Sequence, residues 1–301
     1  MNTNKQQHKA GFQINTSARR YKKSTNIIVI VTIALALAIV VGAQAFEFVD
    51  LIKSHGGIVS VPGDYATIQG AINAANPGDI IQVSPGTYNE NLTLSKPVSL
   101  IAENFDPINP ANNTTILDGG GRGTTILIPP GLNQMPTIRG FVIRNGSGDN
   151  ILASSAFIAE FNYIYAADNL VSYQMGAGGF NRSNIYFGAV NNAIRLDNMN
   201  SPLTVENNRI MYSGASGIEI GLQAATAPQA IVEIGIWNNM ILGNGEDGIQ
   251  FINYASDSQD THRRFTIAGN LIANNRMAGL GLMPNANTME NYSGANSCAC
   301  V

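Results

Sequence analysis

Charge is scarce in this chain of 301 residues: only 12% are Asp, Glu, Lys or Arg. After Phe46 the lysines are Lys53 and Lys96, and the histidines of the whole chain are His8, His55 and His262. No two histidines stand at helical spacing, which excludes a helix-borne zinc motif. No G-K-[S/T] triplet occurs, which excludes a phosphate loop. "GGG" at Gly119 to Gly121 opens no helix and is no dinucleotide fingerprint. Aromatics are sparse and helix-favouring runs of Glu, Lys and Leu are missing, while Gly and Asn are plentiful. That balance excludes a helical bundle and points to strands and turns. The two cysteines, Cys298 and Cys300, flank a single residue. Such a gap closes poorly into a disulfide, so no disulfide framework is expected.

The charge that exists is divided. Residues 1–46 hold six basic and no acidic residues, leaving 11 basic and 20 acidic residues in the remainder, a net −9. A body of that sign excludes nucleic acid as a partner. Between the two parts runs "NIIVIVTIALALAIVVGAQAF", residues 26–46, in an uncharged stretch of 23 residues from Ser24 to Phe46. A basic flank, an apolar run and Ala43-Gln44-Ala45 read as a secretory signal cleaved after Ala45. The same stretch is long enough to span a bilayer of about 30 Å, with the basic tail held inside. Both readings stand, and both carry residues 47–301 out of the cytoplasm, secreted or anchored at the surface.

What fills the body is repetition. "NNRIMYSGASGIEI" starts at Asn207, "NNMILGNGEDGIQF" at Asn238, and "GNLIANNRMAGLGL" at Gly269, each 31 residues after the last. With the isoleucine of each unit as a ruler, Ile143, Ile164, Ile185, Ile210, Ile241 and Ile272 are separated by 21, 21, 25, 31 and 31 residues. Short alternating runs such as "IEI", "VEIGI" and "IQF" are strands, not helices. A single unit cannot bury its own apolar side, but stacked coils can. The register then predicts an aliphatic ladder of Ile210, Ile241 and Ile272 and a turn ladder of Asn208, Asn239 and Asn270. Gly217, Gly248 and Gly279 are expected to hold a tight corner with positive φ.

"VPGDYATIQGAINAANPGDIIQVSPGTYNENLTLSKPVSLIAEN", Val61 to Asn104, precedes the repeats. Thr67 caps a short helix with Ile68, Ala71, Ile72 and Ala75 on one face, and Pro77-Gly78 stops it. An amphipathic helix there makes a lid for the first coil.

These residues closely resemble the N-terminal unit of pectin-lyase-like right-handed parallel β-helix proteins. "TTILDGGG" and "IRGFVIRNGSG" look like the next rungs, and the likeness runs over residues 58–285. It implies an all-β solenoid with an N-terminal capping helix, behind one signal or transmembrane helix. The chain divides into a basic tail (1–25), the apolar segment (26–46), a linker (47–60), the capping-helix segment (61–79), coils (80–290) and a tail (291–301) read as a truncated end. The fold hosts lyases, hydrolases, esterases and non-catalytic proteins, so it does not decide activity.

The step grows from 21 to 31 by insertions after "GIEI" and "GIQF", at Gly221 to Ala230 and Ile252 to Arg264. These should stack as a wall at one corner. Asp257, Asp260 and His262 on the second are the first residues to test for catalysis. Arg264 is expected to pair with Glu233 on the neighbouring rung. No cofactor motif is present. Calcium is the one ion to consider, and it takes six to eight oxygens where Asp257 and Asp260 supply two carboxylates.

"GTYNEN" and "QDT" are similar to pectin methylesterase motifs, but that family's other signatures are absent, as are the polygalacturonase motifs. Arg144, Arg182, Arg195 and Arg209 are available as a lyase base without a lyase motif around them. A surface or carbohydrate-binding module is therefore the first expectation, with a polysaccharide or cell-surface glycan as partner. Tyr212, Trp237, Tyr254 and Asp247 are its candidate contacts, and Tyr163, Tyr165, Tyr173 and Tyr186 are further aromatics. A polysaccharide-processing enzyme is the second reading. A periplasmic metalloenzyme accessory protein is the third, with Met211 and Met240 on successive rungs but offset by two positions. Sequons at Asn91, Asn112, Asn113, Asn145, Asn181 and Asn291 permit glycosylation.

Overall fold

The computed structural model describes residues 56–223, 231–254 and 262–283. The basic tail, the apolar segment, Asp257, Asp260, Asn291 and both cysteines lie outside the described residues. Among the described residues, no helix is long and apolar enough to cross a membrane.

The described chain is a right-handed parallel β-helix of three all-parallel sheets with nine, eight and eight strands. Each coil contributes one strand to each sheet in turn. The coil around the middle of the stack runs Phe157–Glu160, Tyr163–Tyr165 and Asn169–Tyr173. The next runs Gly179–Arg182, Ile185–Phe187 and Ile194–Asp197. Inward side chains of successive coils meet in columns, and those columns are the core.

The lid forms as expected. Ile68–Ala74 is a helix, Thr67 Oγ1 accepts from Gly70 N at 3.1 Å, and Ile68, Ala71 and Ile72 are fully buried. Burying an isoleucine contributes about 1.5–3 kcal/mol. Glu90 accepts from Ile68 N and Gln69 N at 2.9 Å each, opposite the positive end of the helix. Lys96 Nζ donates to Asn73 O and Ala75 O at 2.6 and 2.7 Å at the other end. The "GTYNEN" glutamate is thus a helix clamp, which explains that motif without an esterase. One boundary moves: Ile58–Val61, placed mostly in the linker, is a strand paired in parallel with Ile80–Val83.

The ladders are present, and one is longer than expected. Asn208 N donates to Asn239 Oδ1 at 3.0 Å, and Asn239 N to Asn270 Oδ1 at 2.9 Å. The column continues backward through Asn184 and Asn162. Each asparagine follows a residue with φ near +60°: Phe161, Ser183, Asn207, Asn238 and Gly269. This two-residue corner takes the Asn amide out of the sheet ladder, so the next coil's Oδ1 accepts it.

Two expectations are corrected. Ile164 pairs with Tyr186, not Ile185, and Tyr186 with Ile210. Both residues are apolar, but side chains alternate along a strand, so a shift of one changes which faces the core. The glycine corner also has a different cause. Neither Gly217 nor Gly248 has positive φ. A Cβ on Gly217 would lie 2.7 Å from Gly248 O and 2.7 Å from Ile241 Cγ2. Close approach of coils, not a left-handed backbone, excludes a side chain there.

Candidate functional site

A groove of about 610 Å³ lies on the outer face of the first sheet. Its floor follows from register. Phe180 pairs with Thr204, Thr204 with Gly235, and Gly235 with Thr266, so these four form one outward column across four coils. Glu233 and Trp237 flank Gly235 on the same face, two residues to either side, as strand alternation requires. Met135, Ser201 and Pro202 complete the rim.

Gly235 shapes the floor. A Cβ there would lie 2.8 Å from both Cε2 and Cζ2 of Trp237, so the indole lies against the bare backbone. Phe180 stands two coils away, with the Arg182 guanidinium carbon over its ring at 5.8 Å from the centroid. Phe180 and Trp237 each keep somewhat over a third of their surface exposed. Large aromatic faces held open to water in a concavity are binding platforms.

The charged groups around the groove are engaged with one another. Glu160, 2% exposed, accepts from Arg139 Nε at 2.5 Å and Arg182 Nε at 2.8 Å. Arg264 Nη1 meets Glu233 Oε1 at 2.7 Å, as the 31-residue offset predicts. Both partners are more than half exposed, so the pair contributes little to stability.

A second charged group lies on the outer face of the third sheet. Arg195 Nε lies 3.4 Å from Glu219 Oε1, and its Nη2 lies 3.8 Å from Asp197 Oδ2. This cluster borders the corner where both insertions leave, after Ile218–Leu222 and Ile249–Asn253. Arg263 braces that corner, donating to Met199 O at 2.6 Å, Asn198 Oδ1 at 2.6 Å and Gln223 O at 2.9 Å. Among the described residues, no three of His, Cys, Asp and Glu converge as metal ligands.

The sequence candidates scatter. Trp237 lies in the groove. Tyr212 is at another corner, edge-on to Phe187 at 5.5 Å. Tyr254 is exposed beyond the end of a third-sheet strand. Asp247 is fully buried and accepts from Ala278 N at 2.7 Å, so it braces a corner and offers no surface contact. His262 opens a first-sheet strand in the left-handed region, its carbonyl accepting from Val232 N at 2.9 Å. Tyr173 and Tyr186 are core residues, and the sequon residues Asn113 and Asn181 are buried. Tyr163 and Tyr165 stack on each other at 4.8 Å on the second sheet. There Arg144 joins Tyr165 Oη at 2.9 Å and Asp118 Oδ2 at 2.8 Å. Burial opposes ionisation of Asp118, but bonds from Asn145, Gly120 N and Arg144 outweigh it and hold its carboxyl below the usual range.

Phe180 and Gly235 were not legible as site residues. Phe180 reaches Thr204 by a step of 24 residues where the next two steps are 31, so only the register of the folded coils aligns it with Gly235 and Trp237, and a glycine by itself marks no platform.

No protein-family model matches the chain, and no curated protein matches it. Among solved structures, the fold is similar to the pectate lyase Pel9A, with a TM-score of 0.50 and 14% identity over 77% of this chain and 67% of that one. A pectin methylesterase from Aspergillus niger overlaps 79% of this chain and 91% of its own at 12% identity and a TM-score of 0.36. The first likeness establishes a shared fold and leaves activity open, and the second adds nothing to it.

Proposed function

We propose that this chain is an extracytoplasmic β-helix that binds polysaccharide along the outer face of its first sheet without turning it over. One observation carries the reading: the Trp237 indole laid on Gly235 shares one groove with Phe180, with Thr204 and Thr266 in the same column. Aromatic faces take the apolar faces of pyranose rings, and hydroxyls take their edges. The basic tail followed by an uncharged segment supports export. Glu233 is the single titratable residue lining the groove among the described residues, and Arg264 holds it. Proton transfer to a leaving group and activation of a nucleophile require a further positioned group.

A glycan array probed with the purified protein tests this, with the same samples assayed for unsaturated uronides, new reducing ends and released methanol or acetate. Binding without product is expected. Product formation would sink the non-catalytic reading.

The Arg195, Asp197 and Glu219 cluster favours a second reading, polysaccharide processing at the insertion corner. An arginine there would neutralise a uronate, and Asp257, Asp260 and His262 would belong to the same wall. On that reading, turnover exists and falls in Arg195→Ala, Asp260→Ala and His262→Ala.

A further inference from the structure

We infer that the groove on the first sheet selects an uncharged, equatorially linked pyranose chain lying parallel to the solenoid axis, and that it rejects polyuronates. The inference rests on the reading of this groove as a glycan site and names its substrate class.

Direction comes from the floor. Phe180, Thr204, Gly235 and Thr266 stack along the axis at about 4.8 Å per coil, a track of roughly 14 Å. Met135 and Ala156 extend the rim toward earlier coils. A ligand that contacts the whole groove therefore crosses the strands at a steep angle and is extended.

Shape comes from the platforms. Trp237 sits beside Gly235, two coils from Phe180, so the two aromatics are about 10 Å apart along the axis. That interval is comparable to two consecutive units of an extended pyranose chain. Equatorial linkages keep such a chain ribbon-flat and leave the C–H faces of its rings available for stacking. A helically wound chain would turn alternate rings away from one platform or the other.

Charge completes the choice. Every polyuronate unit carries a carboxylate, so its site needs unengaged cations. Arg139 and Arg182 both serve Glu160, and Arg264 serves Glu233. The groove is lined by the Glu233 carboxylate and by no basic residue among those described. Glu206 follows Arg182 in the column that leads to Trp237. A polyanion laid here finds no unengaged cation in the described lining and loses water without recovering an ion pair. A lipid acyl chain fits less well, because the hydroxyls of Ser201, Thr204 and Thr266 would be covered without partners.

The test is affinity electrophoresis of the full-length protein at low salt. The gels carry hydroxyethyl cellulose, xylan, glucomannan or mixed-linkage β-glucan, and separately polygalacturonate or alginate. Retardation by at least one neutral polymer and by neither polyuronate is expected. Trp237→Ala lowers the neutral affinity by about tenfold or more, as loss of a central aromatic anchor does. Gly235→Ala is the second variant. It keeps the indole but lifts it off the floor, and it should lose affinity too, with circular dichroism unchanged in both.

Polyuronate retardation that disappears in Trp237→Ala would overturn the selectivity and leave the groove as a glycan site. Retardation that both variants leave untouched would overturn the selectivity and the site together. The absence of any neutral retardation overturns the inference. Flotation with phosphatidylcholine vesicles that Trp237→Ala abolishes would overturn it in favour of an acyl ligand.

Discussion

Inside the core, the Tyr186 hydroxyl donates to Asn181 Oδ1 at 2.8 Å, and neither residue is exposed. The same Oδ1 accepts from Asn184 Nδ2 at 3.0 Å, while Asn181 Nδ2 donates to the Tyr173 hydroxyl at 3.0 Å. One asparagine therefore satisfies two buried phenols and joins them to the corner ladder. Asn181→Leu strands both hydroxyls and should destabilise by roughly 2–6 kcal/mol, at about 1–3 kcal/mol for each orphaned group. Tyr186→Phe removes one bond and leaves Oδ1 bonded to Asn184, a loss of about 1 kcal/mol. The double variant Asn181→Leu/Tyr186→Phe should be more stable than Asn181→Leu alone. Urea unfolding of the three variants checks the order, and additivity would show that the contacts are independent.

Those two phenols also set the alkaline limit. Burial raises the Tyr173 pKa, against a lowering bond from Asn181. Burial, followed by the Tyr173 charge, raises that of Tyr186, again against Asn181. A folded pKa above the unfolded value means stability that is complete below the unfolded value of about 10 and is lost progressively as pH rises from there toward the raised folded value. Stability should therefore begin to fall at about pH 9–10 and keep falling with further rise in pH, and Tyr173→Phe/Tyr186→Phe should flatten that fall. In the folded protein both phenols stay silent in an ultraviolet tyrosinate titration until the chain unfolds. Early ionisation of all ten tyrosines would place these two in contact with water.

The third-sheet corner and the second-sheet rungs show how much of this the sequence disclosed. Repeats at a constant 31-residue step align without ambiguity, so Asn208, Asn239 and Asn270, the Ile210 column and the Glu233–Arg264 pair could all be read by offset. Where the step changes, the phase is lost. Ile185 and Tyr186 are adjacent apolar residues, and only the folded register assigns the column to Tyr186. Asn162 and Asn184 were hidden for the same reason. Trp237 was legible as an aromatic, but its platform was not. Phe180 sits two coils and two different steps before Gly235, and a glycine signals nothing until the indole lies on it.

Asn239→Ala tests the ladder where it is buried on both sides. The substitution removes the acceptor of Asn208 N and the donor to Val205 O. An orphaned buried amide costs about 1–3 kcal/mol, so the midpoint of thermal unfolding should drop by several degrees. Asn239→Asp should be no better, since a carboxylate there faces Val205 O and Asn270 Oδ1 with nothing to donate. Amide hydrogen exchange gives the local reading. Protection at Asn208 N should fall first, ahead of the neighbouring Ile210.

Gly248→Ala separates two explanations of the glycine corner. If the backbone were left-handed, a methyl would cost the same whatever its neighbours. Gly248 does not have positive φ, and its Cβ would meet Ile272 Cγ2, with Gly279 O at 2.7 Å and Asn275 Nδ2 at 2.8 Å. The cost is then overpacking, about 1–3 kcal/mol. It should shrink when Ile272→Ala opens space, a positive coupling in a double-mutant cycle. Gly121 is the counterexample, with φ of 68° and nothing within 4 Å of a Cβ. Gly121→Ala should cost about 1 kcal/mol through backbone strain alone and show no coupling to Ile272. A Gly248→Ala cost that Ile272→Ala leaves unchanged would return the corner to a conformational cause.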